Sequence, residues 1–431
     1  MFALEKKIKL QKWCLTIILY ILMLRFLFPV IRKIGAFDNL FKLLNVPILI
    51  LVFLLVGLTE KYIVNQWKFI GLLWISYLVL VAVVTKESST ISRIFLDLHL
   101  FVFMLLIEWL IAGKMLKEIN KMMWLSIIFI SLTICYSLYM LTIDPVLARN
   151  SASTVDVELV KGIADFSYIY ALIAFTPVLV LRIKEFLKLR QNLNAYIFIA
   201  FLILEGVYFL KSQYIIAFLL FLFGIFYALI EGMHYRKIIW FYAFIFIAFA
   251  VLIVFLNLYD ILKMVYEYIP PSMYNYRGKI LDFMKFLEGE NIQNLEGMER
   301  FVKLFSTVQA FLKYPYGAVW KGAAFHGNRM GVDFHTEWFN VLAFYGVQGL
   351  VINLGWYFCF FWKIAGYVKN NLSMVKESRY VKHIFVMIFL TGLLNPIHFV
   401  QSYYFIVAFV GICLCLGNRD KRKKKYEDFN G

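Results

Sequence analysis

The stretch HTEWFNVLAFYGVQGL, residues 335–350, sets a histidine and a glutamate directly before an apolar run. That run continues to residue 362, long enough to cross ~30 Å of hydrocarbon at ~1.5 Å per residue. Just before it lies a segment of about 77 residues, Leu258 to Phe334, with nine basic and eight acidic side chains. A connection of this length is far beyond the usual loop and points to a functional role. An apolar helix that closes a long polar loop reads as a membrane span, and the rest of the chain repeats the pattern.

Hydrophobic residues make up 62% of the 431, charged residues only 16%, and mean hydropathy is +0.76. An ordinary soluble domain is nearer half apolar. Runs of about 18 apolar residues or more recur along the length. They predict an all-α, polytopic integral membrane protein with about 12 transmembrane helices, near 13–31, 40–58, 67–85, 91–112, 122–142, 163–181, 195–210, 213–230, 238–257, 338–362, 383–395 and 402–417. The expected organisation is a bundle of nine spans over 1–257, one large extracytoplasmic loop over 258–337, three spans over 338–417, and a basic tail over 418–431. The first run, Trp13 to Ile31, lacks a small-residue cleavage site and reads as a span rather than a signal peptide.

Charge orients this bundle. With both termini cytoplasmic, inner segments hold 26 of the 44 basic residues, short outer connections eight and the large loop nine, with Arg25 inside the first span. This asymmetry obeys the positive-inside rule. The net charge of +17 is therefore mostly a topology signal. Nucleic-acid binding would require a soluble basic face with interleaved aromatics, which the chain lacks. The five cysteines all sit in apolar runs without metal-ligand spacing, so a disulfide framework or zinc site is not expected.

Within the large loop, Phe301, Leu304, Phe305, Val308, Phe311 and Leu312 recur at helical spacing and predict an amphipathic helix at the membrane interface. Tyr314-Pro315-Tyr316-Gly317 ends it. A second outer segment, Asp144 to Gly162, is also too long for a simple turn.

Several residues are candidates for chemistry. His335 stands at the outer interface, where an imidazole exchanges protons near neutral pH; the plainer alternative is a polar helix cap. Glu337 orients that ring only if His335 lies in non-helical backbone. Arg300 opens the amphipathic helix, and a guanidinium fork suits phosphate oxygens; the alternative is an arginine snorkelling to the interface. Arg277 and Arg329 are further candidates in the same loop, and Arg149 lies in the shorter one. Lys211-Ser212-Gln213 is a hairpin between two spans, and the intramembrane Glu205 is costly unless paired, with Lys211 as the expected partner. There is no Walker loop, Rossmann glycine pattern, H-E-x-x-H or G-x-S-x-G, so neither nucleotide nor metal chemistry has sequence support, and no cofactor is expected.

His335, Glu337, Trp338, Leu342, Gly346, Gly349 and Leu350 sit at spacings that resemble the C-terminal signature of the O-antigen polymerase and ligase family. The order Glu299-Arg300, Phe311, Tyr314-Pro315-Tyr316-Gly317, His335 is similar to that family's loop, in which an arginine starts a helix and a histidine closes the segment. Ala148-Arg149, Lys161-Gly162 and DFSYIYAL resemble the arginine-bearing outer loop of bacterial polysaccharide polymerases. Family members often show Ser-Arg where this chain has Ser212-Gln213, so Lys211 is left to supply the charge without the fork.

The resemblance implies a bacterial inner-membrane glycosyltransferase, a repeat-unit polymerase for O-antigen, capsule or exopolysaccharide. Its donor and acceptor are oligosaccharides on polyprenyl pyrophosphate in the lipid bilayer, and a chain-length regulator protein is a candidate partner. His335 and Arg300 would be catalytic, while Arg149, Lys211, Gln213, Arg277 and Glu337 would bind substrate. Two alternatives stay open: transfer of the same donor to lipid-A core or protein, and a non-enzymatic lipid-linked oligosaccharide flippase.

Overall fold

A computed structural model describes residues 2–57, 66–145, 147–150, 162–231, 241–242, 245, 258–290, 295, 299–321, 336–397 and 401–417. Among the described residues there are helices and their connections and no strand. This follows from the apolar runs, because a chain in hydrocarbon must satisfy its backbone polar groups within each segment.

The helices are α1 (Phe2–Leu27), α2 (Gly35–Gly57), α3 (Gln66–Thr85), α4 (Ser88–Ala112), α5 (Leu116–Ile143), α6 (Phe166–Ile173), α7 (Thr176–Lys188), α8 (Asn192–Lys211) and α9 (Ile215–Ile230). The large-loop region contributes α10 (Leu258–Tyr268), α11 (Tyr274–Leu287) and α12 (Glu299–Lys313). Then come α13 (Glu337–Asn371), α14 (Val375–Leu394) and α15 (Gln401–Leu416). A single turn, Leu147–Asn150, precedes α6.

Among the described residues, seven helices are long and apolar enough to cross a membrane: α1 over Leu10–Leu27, α2, α3, α4, α5, α8 and α13. The chain is therefore a multi-pass helical protein. The span expected at 163–181 is broken: α6 and α7 meet at 44° across Ala174-Phe175, with Pro177 in the first turn of α7, and count as an eighth crossing if taken together. Proline is tolerated there because a first-turn N–H needs no helical partner. Of the remaining expected spans, α9 and α15 are shorter apolar helices, and α14 carries Lys376, Glu377, Arg379 and Lys382 in its first half. The span at 238–257 lies almost wholly outside the described residues, as does the tail at 418–431.

Among the described residues, five tight connections reverse the chain, and each contains one non-glycine residue with positive φ: Lys86, Lys114, Arg190, Gln213 and Ser373. A left-handed residue just after a helix turns the chain back on itself within two or three residues. The contacts at helix ends then fall into two sets. At the end bearing the large loop, Tyr214 donates to Ala148 O (3.1 Å) and Tyr276 to Leu210 O (3.4 Å). At the opposite end, Lys68 pairs with Glu108 (3.0 Å) and Arg182 donates to Leu414 O (2.8 Å).

Helix α13 is not straight. Gly346 within it has φ 80 and ψ −179, outside any helical region. Trp338 and Tyr357 would be separated by ~28 Å along a straight helix, yet their rings are 5.9 Å apart. The arm Glu337–Tyr345 therefore folds back along the arm that follows Gly346. The break is wedged by the turn after α12: Val347 N donates to Pro315 O (3.0 Å), and Gln348 Nε2 donates to Tyr316 O (2.7 Å). A Cβ on Gly346 would lie 2.4 Å from the Tyr316 carbonyl carbon, so the close approach needs glycine.

The amphipathic helix expected in the loop is α12. Its Thr307 and Ala310 are buried, while Phe305 and Leu312 stay exposed, which leaves an apolar edge for lipid.

Candidate functional site

The strongest concentration of buried charge joins α4 to the start of α13. One turn of α4 places Arg93 and Asp97 four residues apart on one face, with the guanidinium Nε 3.4 Å from Asp97 Oδ2. Arg93 Nη2 donates to Glu337 Oε1 at 2.7 Å. Trp74 Nε1 donates to Asp97 Oδ2 at 2.7 Å, and Tyr404 OH reaches Asp97 Oδ1 at 3.4 Å. The other oxygen of Glu337 accepts from Ile397 N (3.3 Å), while Glu337 N donates to Asn395 O (3.3 Å). The Arg93 guanidinium lies 5.5 Å from the Trp74 ring and 5.7 Å from that of Tyr345. All three charged residues are at most 3% exposed, so this is a desolvated knot rather than a surface pair.

The knot decides where the chain leaves the large loop. Thr336 is extended (φ −144, ψ 130), the helix starts at Glu337, and Glu337 is buried among α3, α4 and α15. Glu337 was expected at a water-facing helix mouth; it is an anchor inside the bundle instead, because the fold-back at Gly346 sends its arm inward. Hydrogen-bonding groups gather around that arm. The side-chain amides of Asn340 and Asn353, Arg93 Nη1 and Tyr403 OH are buried without a partner among the described residues. Buried polar groups are nearly always paired, and those that are not call for an explanation, a functional role among them.

A second assembly lies at the loop-bearing end. Gln213, turning the α8–α9 hairpin with φ 58, accepts from Asn275 N at 3.2 Å through Oε1. Tyr276, at the start of α11, donates to Leu210 O at 3.4 Å, and burial pushes its phenol up to about 12, which keeps it a donor. Tyr214 ties the turn Leu147–Asn150 to the same place through Ala148 O. The segments bearing Arg149, Lys211, Gln213 and Arg277 are thus drawn together. Lys211 is exposed there. Arg277 lies 4.2 Å from the Tyr266 ring and donates weakly to Ile269 O (3.4 Å), so it braces α10 against α11.

The other candidates divide as follows. Arg149 and Arg300 occupy helical backbone, but their side chains lie outside the described residues, as do His335 and Arg329 altogether. Glu205 does not pair with Lys211: it is fully buried and its oxygens have no partner among the described residues, whereas Lys211 sits exposed at the helix end. Six residues advance a helix by about 240°, which puts the two on different faces. Among the described residues no group of three His, Cys, Asp or Glu side chains converges.

Arg93 and Asp97 escaped the sequence reading. Their signal was available, since an Arg and an Asp four apart inside an apolar run are intramembrane charges that face one another. Arg25 forms a smaller network of the same kind, donating to Asn45 Oδ1 (2.8 Å), which also lies 3.0 Å from His99 Nε2.

Comparison of the chain with protein-family models, with curated proteins and with solved structures gives no match.

Proposed function

We propose that this chain polymerises oligosaccharide repeat units carried on polyprenyl pyrophosphate, at the outer face of a bacterial cytoplasmic membrane. The observation that carries the reading is the gathering of the Arg149, Lys211–Gln213 and Arg277 segments at one end of an apolar bundle. Positive charge there suits a departing pyrophosphate.

In the reaction, an acceptor sugar hydroxyl attacks the anomeric carbon of the donor. The new C–O bond forms as the bond to pyrophosphate breaks, with inversion at that carbon. His335 takes the hydroxyl proton, and the basic side chains, Arg300 foremost, hold the leaving pyrophosphate. The donor is already activated, so neither nucleotide nor metal is called for. General base catalysis contributes ~10²–10⁴-fold, which sets the loss expected on removing His335.

The test uses purified protein in liposomes with lipid-linked repeat units on the accessible side. Wild type is expected to build longer glycans without nucleotide or added divalent metal, and His335→Ala to leave single units. Units that merely equilibrate between leaflets would replace the polymerase by the flippase. Transfer onto added lipid-A core, in place of chain growth, would make the protein a ligase.

A further inference from the structure

The end of the bundle opposite the large loop holds a cavity of about 350 Å³ between α7, α9 and α14. Its charged lining is Lys184, Glu185 and Lys188 from α7, Glu231 at the end of α9, and Lys376 and Arg379 from the first turns of α14. The acids are already committed. Glu185 accepts from Arg182 Nη1 at 2.7 Å, and Glu231 is in contact with His383 Nε2. Burial works against an ionised Glu231, but the His383 hydrogen bond, with Arg379 and Lys184 nearby, outweighs it and holds that carboxyl below its ordinary range.

The cations are less occupied. Lys184 donates to Ala228 O (2.8 Å) and Leu229 O (3.0 Å), closing the end of α9 with two of its three N–H groups. Lys188, Lys376 and Arg379 are exposed, and among the described residues no carboxylate forms an ion pair with them. Four cations from two different helices thus face one cavity, in which both carboxylates have other partners.

Aliphatic side chains adjoin the charged ones. Leu187, Leu229 and Val375, next or nearly next in sequence to Lys188, Glu231 and Lys376, are each about half exposed. Cations in a cavity at the end of a helical bundle, with hydrocarbon alongside, match a phosphate that carries acyl chains better than a free one. Basic pockets between membrane helices on the cytoplasmic side are known to take anionic head groups.

The geometry points to this cavity as a binding site for the phosphate head group of an anionic phospholipid, seated between α7 and α14 in the leaflet opposite the large loop. The inference rests on the membrane-spanning bundle and not on glycosyl transfer, so either can fail without the other. The bias of basic residues identifies that leaflet as the cytoplasmic one.

The probes are phosphatidylglycerol, phosphatidylcholine and free glycerol 3-phosphate, added to purified full-length protein, with retained lipid read by native mass spectrometry and stability by thermal unfolding. Phosphatidylglycerol is expected to stay bound and raise the Tm, and phosphatidylcholine to do neither. Each basic side chain near an anionic head group contributes a factor of about 5 in affinity, so K376Q/R379Q should weaken retention roughly 25-fold. Both positions are exposed and should leave the fold intact. Lys263→Gln, which removes a charge from α10, should retain lipid as wild type does. Equal retention of both lipids, or wild-type retention by K376Q/R379Q, would overturn the assignment. Stabilisation by glycerol 3-phosphate as strong as by the lipid would transfer the site to a soluble phosphate compound.

Discussion

Arg93 and Glu337 lie 244 positions apart in the sequence, yet their side chains meet at 2.7 Å in the interior of the bundle. The pair joins the first turns of α4 to the point where the chain returns from its large loop. Asp97, Trp74 and the backbone of Ile397 hold the two charges in place.

Removing Arg93 leaves two carboxylates, Asp97 and Glu337, buried without their countercharge. Arg93→Met is therefore expected to cost about 3–5 kcal/mol of stability, read as a fall in Tm in detergent. R93M/D97N/E337Q should recover part of that loss, because no charge is then left in the knot. An unchanged Tm in Arg93→Met would mean that the knot does not anchor the loop.

The fold-back at Gly346 makes a second prediction. Gly346→Ala forces a side chain into positive φ and against the Tyr316 carbonyl, at an expected cost of about 1–3 kcal/mol. Gly355→Ala is the control, since a Cβ there meets nothing within 4 Å. Equal Tm values for the two variants would remove the argument for a wedged break.

Arg300 tests charge at the donor. Arg300→Ala is expected to abolish chain growth, and Arg300→Lys to retain only a fraction of it, because an ammonium cannot reproduce the bidentate fork. Glycan length on gels, at matched expression, is the readout. Near-normal length in both variants would reduce Arg300 to a snorkelling residue on α12.

Topology is open to a direct check. The positive-inside rule, applied to the 26 basic residues assigned to inner segments, predicts that Leu258–Phe334 is extracytoplasmic. A periplasm-active reporter fused at Asn294 should be active, and a cytoplasm-active one silent; the reverse pattern would invert the bundle.

Much of this architecture was legible from residue order. Apolar length is a property of a single segment, so α1 to α5, α8 and the long arm of α13 could be read one at a time. The same holds for α12, whose apolar period and Tyr314–Gly317 terminator are local. That the Arg149, Lys211 and Arg277 segments share one end was partly visible too, since the alternation of spans places all three connections on the same side.

The re-entrant arm and the charge knot were not legible in this way. A glycine in an apolar run gives no sign whether it continues a helix or breaks it. At Gly346 the answer comes from the turn at Pro315 and Tyr316, about thirty positions earlier, whose carbonyls receive the hydrogen bonds of Val347 and Gln348. Glu337 looked like a solvated helix start because its neighbours in sequence are polar. It is buried because Arg93, on another helix, supplies the countercharge that makes burial tolerable. Hydrophobic periodicity records what each segment needs from its surroundings, whereas pairing between distant charges exists only once packing has brought them within a few ångströms.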